Sequence, residues 1–221
     1  MDGIMVVDKP SGMTSHDVVA IIRRKIRQKS VGHAGTLDPL ATGVLVILVG
    51  RSTKLFEKFV GFDKAYCATM KLGVRTVSAD IQGAVVEERS CASVTCQEIE
   101  KAFEKFTGDI EQVPPMVSAV KHKGERLYKL ARKGVHVERA ARKVRVDVLK
   151  LLEFSSPLAK FYLECSKGTY VRQVAEDVGE VLGCGACITE IRRTKVGPFM
   201  IDHAVKLEEI NESHLRDWPS R

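Results

Sequence analysis

Hydrophobic positions along this chain switch repeatedly between the period of a strand and that of a helix. Ile4 to Val7 is an apolar run of strand length. Behind Thr14 and Ser15, either of which can cap a helix, Val18, Val19, Ile21, Ile22 and Ile26 form one apolar stripe. Val44 to Val49 is apolar throughout, as in a buried strand or a core helix, and Thr53 to Val60 predicts a short helix before a strand from Tyr66 to Leu72. Thr95-Cys96-Gln97-Glu98 has capping-box spacing and opens a helix through Ile99, Phe103 and Phe106 that Gly108 closes. Pro114-Pro115 interrupts regular structure, and a short helix around Leu127-Tyr128-Lys129-Leu130 ends at Gly134. Alternation returns at Val144, Val146 and Val148 and again at Phe161, Leu163 and Cys165, the mark of strands with one buried face. A helix from about Val171 to Leu182, a strand through Ile188 to Val196 and a polar tail follow. Adjacent strand pairs interleaved irregularly with helices predict an α+β fold with a mixed sheet, not a doubly wound parallel one.

Composition narrows the class. The 221 residues, 44% of them hydrophobic, suffice for one large domain or two small ones. The longest apolar run is far short of a membrane span and the first residues lack the features of a signal peptide, which makes the cytoplasm the default compartment. Six scattered cysteines fit thiols in a reducing compartment. Cys184-Gly185-Ala186-Cys187 is the one C-x-x-C; Cys91 and Cys96 make a poor second pair, so core thiols are favoured over a metal site. Neither a P-loop nor a G-x-G-x-x-G is present.

Charge is concentrated. Between Val113 and Lys150 eleven lysines and arginines face three acids, a balance of 11 − 3 = +8, against +7 for the whole chain. So dense a block of one sign favours a polyanion, and a phosphate backbone fits it. A second basic run, Arg23, Arg24, Lys25, Arg27 and Lys29, lies at the end of the first predicted helix, where it serves either the helix dipole or phosphates.

The chemistry centres on Gly32-His33-Ala34-Gly35-Thr36-Leu37-Asp38-Pro39-Leu40-Ala41-Thr42-Gly43, which holds one carboxylate in a glycine-bounded loop. Its three glycines permit positive φ and close backbone approach, and Pro39 biases Asp38 out of the helical region. The loop runs straight into the apolar Val44 to Val49, so a polar turn is anchored on the interior, as at functional sites.

That string resembles the aspartate motif of the bacterial TruB-type tRNA pseudouridine synthases. The likeness extends over about residues 3 to 200. It takes in Asp8-Lys9-Pro10-Ser11-Gly12-Met13-Thr14-Ser15, Lys64-Ala65-Tyr66 and Lys71-Leu72-Gly73. It continues through Gly73-x-x-Thr76-x-Ser78-x-Asp80-x-x-Gly83, with Ser78 where the family has Thr, then Cys165 to Arg172 and Ile191-Arg192-Arg193-x-x-x-Gly197-x-Phe199. The resemblance implies a pseudouridine synthase fold: a large mixed, mainly antiparallel sheet flanked by helices, in a single catalytic domain over 1–221. It places a basic RNA-gripping insertion at about 114–142. The family's C-terminal RNA-binding domain is expected to be missing.

The implied reaction isomerises uridine 55 in the T arm of tRNA, without cofactor, metal or guide RNA, in a cytoplasmic monomer. Asp38 is the implied catalytic acid, Arg172 the cation that keeps it ionised and Tyr66 the aromatic against the turning base. Whether Asp38 bonds to the sugar or takes its C2′ proton stays open. His33 and Asp80 are implied RNA contacts, Asp80 alternatively ordering its loop, and Lys9 and Pro10 are structural supports. Lys121, Lys123, Arg126, Lys129, Arg132 and Arg142 are the candidate RNA-backbone contacts. The competing reading is a non-catalytic tRNA-binding or folding module on the same scaffold.

Overall fold

The computed structural model describes residues 1–118, 120–135 and 137–218, and for Lys121 and Arg132 the backbone alone. The chain divides into two compact units, one of residues 1–67 and 191–221 and one of 68–190.

The first unit opens with β1 (Gly3–Lys9) and α1 (Ser15–Lys25). Thr14 caps α1 by accepting from the Asp17 N–H while Asp17 accepts from the Thr14 N–H, and Val18, Val19 and Ile22 bury the predicted stripe. β2 (Val31–Ala34) precedes the Asp38 loop and β3 (Thr42–Val49) follows it, which decides the Val44 to Val49 run in favour of a strand. A 3₁₀ turn and α2 (Phe56–Val60) replace the single helix predicted from Thr53, and β4 (Lys64–Leu72) runs on into the second unit.

The second unit contains the hairpin of β5 (Val74–Thr76) and β6 (Val85–Glu88), α3 (Cys96–Glu104) and β7 (Gly108–Gln112). The Thr95/Glu98 capping box is formed, but α3 stops at Glu104; Phe106 lies beyond it and Gly108, at φ +92°, starts a strand. Next come β8 (Lys121–His122), β9 (Glu125–Arg126) and α4 (Leu127–Arg132). The long pair β10 (Arg142–Ser155) and β11 (Leu158–Cys165) leads to α5 (Val171–Val181) and β12 (Ala186–Val196). Phe103 of α3 meets Phe161 of β11 edge to face at 5.8 Å, and Val174, Ala175 and Val178 bury one face of α5.

The chain returns to the first unit through the end of β12, then β13 (Phe199–Met200) and β14 (Val205–Lys206). Ten strands make one mixed sheet in the order β14-β1-β3-β12-β4-β11-β10-β7, with β2 on β3 and β13 on β12. Antiparallel pairing dominates; β1 with β14 and β3 with β12 are parallel. The predicted polar tail is not idle. Trp218 packs against Phe59 at 5.2 Å and Phe199 at 5.3 Å, beside a core of Ile4, Val6, Val44, Val46 and Leu48.

Candidate active site

Asp38 lies in a loop held from several sides. Its carbonyl accepts from the Ala41 N–H at 3.0 Å, closing a turn with Pro39 in the second position, where a fixed φ suits it. Ser15, at the start of α1 and fully buried, accepts from the Leu37 N–H (2.9 Å) and donates to the Leu37 carbonyl (3.1 Å), as a neighbouring strand would. The Gly12 N–H donates to the Pro39 carbonyl, and the Ser11 hydroxyl to that of Leu40.

Two buried cations reach carbonyls of the same loop, Arg193 at Gly35 and Thr36 and Lys9 at Pro39. Lys9, 0% exposed, donates to Pro10 (2.8 Å), Met13 (2.7 Å) and Pro39 (3.4 Å). Arg193, 1% exposed, donates to Val44 (2.8 Å), Gly35 (3.0 Å) and Thr36 (3.4 Å). Burial pushes the Lys9 ammonium down to about 8; the Asp38 carboxylate pulls it back up, and Arg193 adds to the fall. Next to Arg193, Arg192 forks onto Asp8 at 2.7 and 3.2 Å. The sequence of the Ile191-Arg192-Arg193 motif suggests no role for either arginine, yet Arg193 is the one that holds the loop.

The three glycines of the loop divide. Gly43, at φ +100°, lies so close to β12 that a Cβ would come 2.2 Å from the Arg193 carbonyl oxygen; Gly35 has φ +99°. Gly32 has neither a positive φ nor a close neighbour, so the backbone reasoning fails at that residue. On β2, His33 meets His16 of α1 edge to face at 5.1 Å, and its Nδ1 finds no hydrogen-bond partner among the described residues. Burial, aided by the charges of His16 and Arg193, pushes His33 down to about 4, so its imidazole is neutral near pH 7. Tyr66 is buried on β4.

In the second unit, Arg172 is 3% exposed on the first turn of α5. It donates to the carbonyls of Ser78 (2.6 Å) and Val117 (2.9 Å), and its Nε lies 3.8 Å from the Asp80 carboxylate. Asp80, also buried, accepts from the Ser78 hydroxyl (2.8 Å) and the Gln82 N–H (3.1 Å). Both bonds fall within the loop that carries Asp80. Of the basic candidates, Lys123, Arg126, Lys129 and Arg142 are exposed, while the side chains of Lys121 and Arg132 lie outside the described residues. Arg23 and Lys25 donate to backbone carbonyls of Val31 and of Leu207 and Glu208, the structural alternative for that run. Cys184 and Cys187 are buried, and burial raises both thiols.

Residues 23–171 match the family model described as TruB family pseudouridylate synthase, N-terminal domain. The chain belongs to the TruB family. Residues 172–217, from α5 onward, match the tRNA pseudouridylate synthase B C-terminal domain. Relatives named tRNA pseudouridine synthase B are close to the whole chain. That of Clostridium tetani is 45% identical over 99% of this chain and 75% of its own, and that of Geobacter sulfurreducens 49% over 96% and 70%. That of Symbiobacterium thermophilum is 49% identical over 99% and 74%.

Among solved structures, a Cbf5-Nop10-Gar1 complex contains a chain of TM-score 0.74 and 31% identity, matched over 94% of this chain. An archaeal box H/ACA Nop10-Cbf5 complex gives 0.71 and 28% over 96%. This chain spans about half of each of those, 53%. These likenesses agree with the predicted TruB-type fold and its mixed, mainly antiparallel sheet.

Proposed function

We propose that this protein converts uridine 55 in the T arm of tRNA to pseudouridine, as a monomer, in the cytoplasm and without a guide RNA. The reaction breaks the bond from N1 of uracil to C1′, turns the base and joins C5 to C1′, with one proton leaving C5 and one arriving at N1. Positive charge builds on the ribose as the glycosidic bond breaks, and a carboxylate beside it stabilises that charge, attacks C1′ or removes the C2′ proton.

Asp38 is the acid. The observation that carries this reading is its loop: buried Ser15 and Arg193 hold the backbone on either side of one carboxylate, and buried Lys9 reaches the Pro39 carbonyl beside it. Such preorganisation avoids rearrangement as charge develops. Tyr66 stacks on the uracil in this reading, and Arg172 is the cation assigned to Asp38, with Asp80 and two carbonyls fixing its guanidinium. His33, neutral at pH 7, contacts RNA as an uncharged ring.

A uridine inside a folded arm must be extruded at a cost of a few kcal/mol, which the basic 114–142 segment offsets through Lys123, Arg126, Lys129 and Arg142 among others. Unmodified tRNA transcript incubated with the protein alone, then mapped for pseudouridine, tests target and guide independence together. The reading requires modification at position 55; modification elsewhere, or only after adding another RNA, contradicts it.

A further inference from the structure

Gln112 is the last residue of β7 and one foot of the basic segment; the other foot is Arg142, its partner in the β7–β10 ladder. Only 2% exposed, its side-chain amide donates to the Tyr170 carbonyl (3.1 Å) and accepts from the Tyr170 N–H (2.8 Å). A buried amide is costly unless both ends are paired, and here both are spent on a single residue.

That residue is the N-cap of α5. Tyr170 supplies no side-chain cap, the first turn carries no acid, and the second helical position holds a cation, Arg172, against the helix dipole. The sequence of α5 therefore does little to fix where the helix begins, and Gln112 fixes it from outside. Two residues on, Arg172 donates to the Val117 carbonyl, five residues beyond Gln112 in the same basic segment. The segment is thus tied to Arg172 twice, through its foot and through Val117.

We infer that Gln112 is a positioning residue for Arg172, through which the RNA-gripping segment sets the placement of that guanidinium. This rests on the reading of Arg172 under Proposed function. Gln112→Met keeps the volume and removes both hydrogen bonds; Gln112→Glu keeps the acceptor and removes the donor. Each is assayed by tritium release from a T-arm hairpin labelled at uracil C5, well below its melting temperature. Kcat should fall about tenfold to a hundredfold, the scale of a small misplacement of a catalytic group, with KM within about twofold. Combined with Arg172→Lys, either change should cost less than it does alone.

Unchanged kcat, a loss that only follows the unfolded fraction, or full additivity with Arg172→Lys overturns the inference. If the wild-type protein releases no tritium, the functional reading fails by itself. The inference is then decided by the Arg172 Nε–H resonance, which Gln112→Met must shift while the Arg193 Nε–H stays in place. An unmoved Arg172 resonance overturns it.

Discussion

At the scale of single residues, the site depends on ionisable side chains kept from water by the fold. His33 titrates near 4 in the native protein against an ordinary 6.5, so between those values the unfolded chain binds more protons and stability falls as the pH drops. Asp177, raised by burial to about 6, acts in the opposite direction over 3.8 to 6, because there the native state holds the extra proton. The difference between wild type and His33→Asn isolates the histidine. Urea unfolding from pH 7 to pH 4 should show the wild type losing more stability than the variant, and parallel curves would refute the assignment. Arg193→Lys replaces a fork on three carbonyls with a single ammonium, and should lower stability by about 2–4 kcal/mol in the same assay.

The turn at Asp38 was legible in the sequence because part of what shapes it, Gly35 and Pro39, is local. Arg193, Ser15 and Gln112 were not read as parts of the sites. Their partners are backbone groups 22 to 158 residues away, and a carbonyl that accepts a hydrogen bond leaves no mark on composition.

At the scale of elements, long periodic segments were read correctly and short strands were missed. Thr95 declared the start of α3 through capping-box spacing, and of the two caps offered for α1, Thr14 or Ser15, Thr14 is the one formed. β2, β7, β13 and β14 are two to five residues long, too short for periodicity to register, and β6 leaves Val85 and Val86 exposed. In β10 only Val144 to Val148 was recognised, because register shifts after Val146 and Leu151 break the alternation of its 14 residues. The parallel contact of β3 with β12 depends on Gly43. Gly43→Ala should cost more than about 2 kcal/mol, since its Cβ would meet the Arg193 backbone in a conformation disfavoured for alanine. A melting temperature within a degree or two of wild type would contradict that.

At the scale of the whole molecule, the excess positive charge lies in the segment leading into β10 and in β10 itself. The rest of the chain is close to neutral. Reversing the exposed Lys129 and Arg126 should weaken binding to a T-arm hairpin and make log K less steep in log salt by about 1–2, one or two phosphate contacts. An unchanged slope would remove them from the interface. Family membership was readable from ordered motifs spread over most of the chain, because a shared fold and chemistry constrain many separated positions at once.

Everything proposed for the reaction rests on the carboxylate of Asp38. The most direct test is tritium release from a T-arm hairpin labelled at uracil C5, for wild type and for Asp38→Asn, with both proteins shown to be folded and to bind the hairpin equally. The account predicts release by the wild type and a loss of at least about a thousandfold in the variant, the scale seen when an essential catalytic group is removed. Equal release by the two proteins would contradict it.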